Sequence, residues 1–84
     1  MKTMRFLLSY KAKRDYKKLT ETLQVATDKQ FSLLLKSLRH PSLRAKKYDE
    51  KNDIWQARVN REYRFYFLIH ESTYKILTII KHSK

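Results

Sequence analysis

The 84-residue sequence has no cysteine, no glycine and a single proline. Without cysteine there is no disulfide framework, no thiolate nucleophile and no cysteine-ligated zinc or iron–sulfur centre. Its three histidines, His40, His70 and His82, are too scattered to form a metal-ligand set. Without glycine, phosphate-cradling loops of the Walker and Rossmann types are excluded, because both depend on backbone that only glycine allows. No cofactor and no metal is therefore expected. Long apolar runs are missing too. The opening Met1-Lys2-Thr3-Met4-Arg5-Phe6-Leu7-Leu8 is basic and then apolar, but its apolar stretch falls short of the about 7–15 residues of a secretory signal. Nothing approaches the about 20 apolar residues of a membrane span. The expectation is one domain over residues 1–84, cytoplasmic and without a membrane partner.

Acidic residues are scarce as well: 8 Asp or Glu face 20 Lys or Arg, a formal charge of +12. Self-repulsion of this size opposes compaction, so a folded chain that keeps it is expected to meet an anion: nucleic acid, an anionic lipid surface or an acidic protein. Apolar residues at 42% and aromatics at 13%, gathered in periodic segments, argue for a packed core against disorder. At this length a single core must do the folding, since only about 60–65% of the unfolded surface is buried. The cations are uneven. Residues 36–47 hold Lys36, Arg39, Arg44, Lys46 and Lys47 with no acid, and residues 11–18 hold Lys11, Lys13, Arg14, Lys17 and Lys18 against Asp15 alone. Each stretch alone fits a solvated face. Together with Arg58, Arg61 and Arg64 they resemble the footprint of a polyanion.

Residues 3–8 read as a first strand. After Ser9, an N-cap candidate, an apolar stripe of Tyr10, Tyr16, Leu19, Leu23, Phe31, Leu34, Leu35 and Leu38 recurs at helical spacing. It is too long for one helix of a small domain. The break falls either at Thr20 or at Thr27, where Thr27-x-x-Gln30 fits a capping box, and His40-Pro41 is expected to end the helical hairpin. Beyond Pro41 the period becomes two. Trp55, Ala57 and Val59 alternate with polar residues, as do Tyr63, Phe65, Phe67 and Ile69 with the residues between them, giving adjacent antiparallel strands. Residues 74–80 are apolar on both faces, as befits a strand inside the sheet. Residues 43–48 are a weaker strand candidate, followed by the polar turn 49–53. With no glycine, Asn and Asp are expected to supply any positive φ. The fold class is α+β: an antiparallel twisted sheet of about four strands, plus the N-terminal strand, packed on an N-terminal helical hairpin.

Strand parity locates part of the charge. If Trp55, Ala57 and Val59 share the helix-covered face with Tyr63, Phe65 and Phe67, Val59 sits opposite Tyr63 across the turn Asn60-Arg61-Glu62. Arg58 then faces Arg64 on the other side of the sheet. Directly opposed like charges destabilise a sheet, so folding alone does not select this pair, whereas a phosphate shared between two guanidiniums does. The alternative is that both side chains extend into water or stack on Tyr66.

Three segments now combine: 38–47, with a basic loop after His40-Pro41; 54–67, with Trp55-x-x-Arg58-Val59 and Tyr63-Arg64-Phe65; and Ile79-Ile80-Lys81-His82. This pattern resembles the RelE/ParE toxin superfamily of bacterial toxin–antitoxin modules over essentially the whole chain. The resemblance implies a toxin that cuts messenger RNA on the ribosome without a metal, by attack of the ribose 2′-OH on the adjacent phosphate. It places Arg64 at the phosphate, Arg58 beside it and His82 as the proton-transfer group, with Arg44, Lys46, Lys47, Arg61 and Lys81 holding RNA. The face on which His82 lies depends on the length of the loop at 70–73. His40 and His70 are read as a helix-end and a loop residue. The sequence ends before the tyrosine-bearing tail of many members. The implied partners are an acidic antitoxin, the ribosome and messenger RNA. Two other readings stay open: a ParE-like inhibitor of DNA gyrase on the same fold, and a non-catalytic RNA-binding protein using Tyr63, Phe65, Tyr66 and Phe67 as stacking platforms. The last conflicts with the need for Phe65 and Phe67 in the core.

Overall fold

The computed structural model describes residues 3–82. In chain order these form β1 (Arg5–Leu8), α1 (Tyr10–Lys18), α2 (Glu21–Lys36), a single 3-10 turn (Pro41–Leu43), β2 (Lys46–Asp49), β3 (Ile54–Arg58), β4 (Tyr63–His70) and β5 (Thr73–Lys81). The five strands make one sheet in the order β1-β5-β4-β3-β2. Every neighbouring pair is antiparallel except β1 with β5, which is parallel. The apolar strand β5 is thus interior, and both helices lie against one face. Among the described residues no helix is long and apolar enough to cross a membrane.

Capping chemistry sets the helix limits. Ser9 Oγ accepts the Ala12 N–H at 3.0 Å and donates to the Leu77 carbonyl at 2.8 Å, so the cap of α1 also ties the chain to β5. The hairpin breaks at Thr20, whose Oγ1 accepts the Leu23 N–H at 3.2 Å. Thr27 is not a cap. It is fully buried inside α2, where its hydroxyl donates to the Leu23 carbonyl at 2.7 Å. Helix α2 also ends sooner than His40-Pro41: Ser37 is extended, and its Oγ accepts the Arg39 N–H at 3.2 Å, a local bond that competes with the helix. His40 instead caps the 3-10 turn, its Nδ1 accepting the Ser42 N–H at 3.1 Å.

The inward face of α2 runs through Leu23, Thr27, Gln30, Phe31 and Leu34. Two polar residues occupy positions that an apolar stripe would not reveal, while Leu35 and, on α1, Tyr10 point outward. Beneath the helices, Ala57, Val59, Phe65, Phe67, Ile76 and Ile79 are buried from the sheet, joined by Leu43 from the 3-10 turn. Aromatic rings bridge the layers, Phe6 to Phe31 at 4.8 Å and Phe31 to Phe65 at 5.1 Å between centroids, and Phe67 meets Tyr74 at 5.7 Å across the neighbouring strands β4 and β5. Such pairs add about 0.5–1.5 kcal/mol each beyond area burial.

Turn chemistry departs from expectation at two of three positive-φ residues. Asp53 behaves as anticipated, but Arg44 (φ 46°) and Glu71 (φ 54°) also enter the left-handed region, at about 1–2 kcal/mol each. Glu71 opens the two-residue loop that closes the β4–β5 hairpin, where positive φ matches the strand twist. His70 accordingly ends β4 and is not a loop residue.

Candidate functional site

The face of the sheet away from the helices carries the charge. Ala57 pairs with Phe65 and Arg58 with Arg64, the register expected from parity. The turn between them is held by Asn60, whose Oδ1 accepts the N–H groups of Glu62 and Tyr63 at 2.9 and 2.8 Å. This Asn-centred turn does without glycine, and it fixes the two arginines side by side.

Arg64 is only 8% exposed although it has no acidic partner. Its Nη1 donates to the carbonyls of Asn60, Arg61 and Tyr63 at 2.9, 3.1 and 3.1 Å. These carbonyls anchor one end of the guanidinium, and its Nε and Nη2 have no protein partner among the described residues. Partial burial, followed by the positive fields of Arg44, Arg64 and Arg61, lowers the pKa of Arg58 from its ordinary value. Among the described residues none of Arg44, Lys46, Arg58, Arg61 and Arg64 forms an ion pair. The cluster is held together by the fold against its own repulsion, as expected where the neutralising anion comes from outside.

The strand bulge between Tyr66 and Phe67 settles His82. Thr78 pairs with Tyr66 and Ile80 with Arg64, so His82, two residues on, lies on the arginine face, and its N–H is bonded to the Glu62 carbonyl. A cavity of about 790 Å³ opens between Arg58, Asn60, Arg61, Glu62, Arg64 and His82. A second, of about 450 Å³, shares Arg58, Arg64 and His82 with it and adds Arg44, Lys46, Tyr48 and Gln56. Lys47 is not in this group. It pairs with Trp55 on the helix-covered side, its Nζ 3.0 Å from Asp53 Oδ1 and 5.3 Å from the Trp55 ring centroid. Lys81 pairs with Tyr63 and so alternates away from Arg64 and His82.

Four contributors were not legible from the sequence. Gln30, read as half of a capping box, is buried and bonded through Nε2 to the carbonyls of Ser42 at 3.2 Å and Arg58 at 3.0 Å. Its Oε1 accepts the Ser42 hydroxyl at 3.3 Å, so one side chain ties the basic loop to the end of β3. Tyr48 and Gln56 line the second cavity, and Glu62 supplies the one carboxylate among the residues lining the first. The available signal was parity: Gln56 and Arg58 alternate with core residues on β3. The stacking of the arginines on Tyr66 is not seen, since no cation lies over that ring among the described residues.

No protein-family model and no curated protein sequence matches the chain. Solved structures do. The chain superposes on the archaeal RelE–RelB complex from Pyrococcus horikoshii with a TM-score of 0.81 at 15% identity, covering 98% of each chain. A YoeB/ParE toxin from Agrobacterium tumefaciens gives 0.80 at 12% identity, over 95% of this chain and all of that one. The toxin–antitoxin complex RelBE2 from Mycobacterium tuberculosis gives 0.77 at 20% identity, over 98% of this chain and all of that one. The class defined by this architecture is the RelE/ParE-like toxin fold, two helices on a five-stranded, mostly antiparallel sheet. Sequence identity of 20% or less carries the fold and not the particular activity, which rests on this chain's own residues.

Proposed function

We propose that this protein is the toxin of a toxin–antitoxin module and that it acts as a ribosome-dependent, metal-independent messenger-RNA endonuclease. The observation that carries this reading is the opposed pair Arg58 and Arg64, at the junction of two cavities and without acidic partners. In the reaction the ribose 2′-oxygen bonds to the adjacent phosphorus as its proton is withdrawn. The bond to the 5′-oxygen breaks, and that oxygen receives a proton, leaving a 2′,3′-cyclic phosphate and a free 5′-hydroxyl. Negative charge grows on the non-bridging oxygens, where Arg64 and then Arg58 stabilise it. His82, on the same face, transfers a proton, the role for which imidazole is suited near neutral pH. Arg44, Lys46 and Arg61 hold flanking phosphates, while Lys47 and Lys81 lie outside the immediate site.

The partner in this reading is an antitoxin with an acidic segment that neutralises the open face. Structures with this fold include complexes named RelE–RelB, YoeB–YefM and DinJ–YafQ. Expression of the chain in bacteria, with and without Arg64→Ala, tests the proposal through growth and mapping of messenger 5′ ends. New cuts within translated messages that vanish in the variant are the expected result. Growth arrest with DNA damage and intact messages would instead identify a gyrase inhibitor, and an absence of toxicity would remove both toxin readings.

A further inference from the structure

Strand β2 carries a bulge at Tyr48. Lys47 pairs with Trp55 and Asp49 with Ile54, two consecutive positions on β3, so Tyr48 is the extra residue without a partner. Bulges are frequent beside active sites. Tyr48 follows Lys46 by two positions and so lies on the face of Gln56 and the arginines, an aromatic ring 61% exposed. Burial does not explain that ring. Its hydroxyl has no hydrogen-bond partner among the described residues, and no cation lies over it.

The ring is nonetheless held. Tyr66 meets it edge to face, with centroids 4.9 Å apart and planes at 71°. Tyr66 is in turn fixed by Gln56, a side chain 8% exposed whose Nε2 donates to the Tyr66 hydroxyl at 2.9 Å. Tyr48 itself lines the cavity shared with Arg44, Lys46, Arg58, Arg64 and His82. Gln56 and Tyr66 are paired across β3 and β4, two residues before the Arg58–Arg64 pair on the same face, a separation of about 6.7 Å along the strands. A rigid aromatic face one step from a phosphate-binding pair is the arrangement by which proteins hold a base and its phosphate together.

We propose that Tyr48 is a nucleobase-stacking subsite, buttressed by Tyr66 and Gln56, that holds an unpaired RNA base next to the phosphate at Arg58 and Arg64. The proposal rests on the RNA-cleaving reading of the same face and adds to it the part of the substrate that is gripped. The cations hold phosphate; Tyr48 requires that the RNA carry a base at that position.

The test is fluorescence anisotropy of the full chain with a labelled 2′-O-methyl hexanucleotide, which lacks the attacking hydroxyl, and with an abasic oligonucleotide of equal length. Wild type is expected to bind the base-bearing strand about tenfold or more tightly than the abasic one. Tyr48→Ala should lose that preference without changing the salt dependence, and Tyr48→Phe, which keeps the ring, should restore it. Because the side chain is exposed, an unchanged melting temperature in both variants separates lost stacking from lost folding. Equal wild-type affinity for the two strands, or equal loss on both in Tyr48→Ala, overturns the subsite but leaves the phosphate site standing. If wild type binds neither strand, the RNA reading and the subsite fall together.

Discussion

Arg64 is positioned by backbone and not by an acid. Three carbonyls of the 60–63 turn receive its Nη1, so the guanidinium is aimed before any ligand arrives, and only a planar group with several N–H donors can bridge the turn and reach a phosphate together. Lysine has the charge without the fork. Arg64→Lys should therefore keep the fold yet lower cleavage by about two to three orders of magnitude, read from rates of message cleavage on ribosomes at matched occupancy. Arg58 differs, since its neighbours repel it. Arg58→Gln should raise the melting temperature while weakening RNA binding, and should reduce the slope of log affinity against log salt by about 0.7–0.9. A lower melting temperature would show that Arg58 stabilises the free protein and would count against a ligand-directed role. Both arginines were legible because strand alternation is a local property. Gln30 and Tyr48 were not: a buried polar tie exists only once two elements have docked, and the face of Tyr48 is set only by the pairing of β2 with β3.

The elements show where local chemistry suffices. Ser9 and Thr20 cap the helices, as side chains able to accept from the first turn should. Thr27 has the same chemistry but sits beneath a packed turn of α2, where burial outweighs capping. Strand β1 ends at Leu8, leaving the last part of β5 without a neighbour on that side, and Asp15 of α1 closes the gap. Its carboxylate accepts the Ile79 N–H at 3.1 Å and the Thr78 hydroxyl at 2.7 Å, and pairs with Lys11 at 3.0 Å. Burial alone would raise the pKa of this carboxyl, but the bonds from Thr78, Ile79 and Lys11 outweigh it and hold the value below the ordinary 3.8. The charged form is thus favoured by folding. Its stabilisation is complete above about pH 4 and is lost as pH falls through the depressed folded value. Asp15→Ala should cost about 1–3 kcal/mol at pH 7, and its deficit against wild type in urea denaturation should shrink as the pH is lowered below 4. The Gln30 tie is the second such joint. Gln30→Ala leaves the carbonyls of Ser42 and Arg58 short of a donor, so faster amide exchange in residues 42–45 should accompany weaker RNA binding.

At the scale of the whole molecule, the charge of +12 opposes folding and favours complexes. An anion that binds only the folded chain should stabilise it by about 2.7 kcal/mol at a concentration of 100 Kd. Thermal unfolding should therefore shift upward far more with a short RNA or a polyphosphate than with sodium chloride at equal ionic strength. Equal shifts would mean general screening and no built site. The sequence by itself determined the fold class, the break from helical to alternating period, the absence of cysteine- and glycine-dependent chemistry, and the opposition of Arg58 to Arg64. All of these follow from composition or from spacing along one or two adjacent elements. Tertiary structure decided the rest. It placed β5 between β1 and β4, put His82 on the arginine face through a bulge, turned Lys47 toward Trp55, and brought Tyr48 into one cavity with Arg58 and Arg64. The physical reason is non-local pairing: strand register, and at His82 a bulge, sets which face a side chain takes, and contacts between segments distant in the chain select that register.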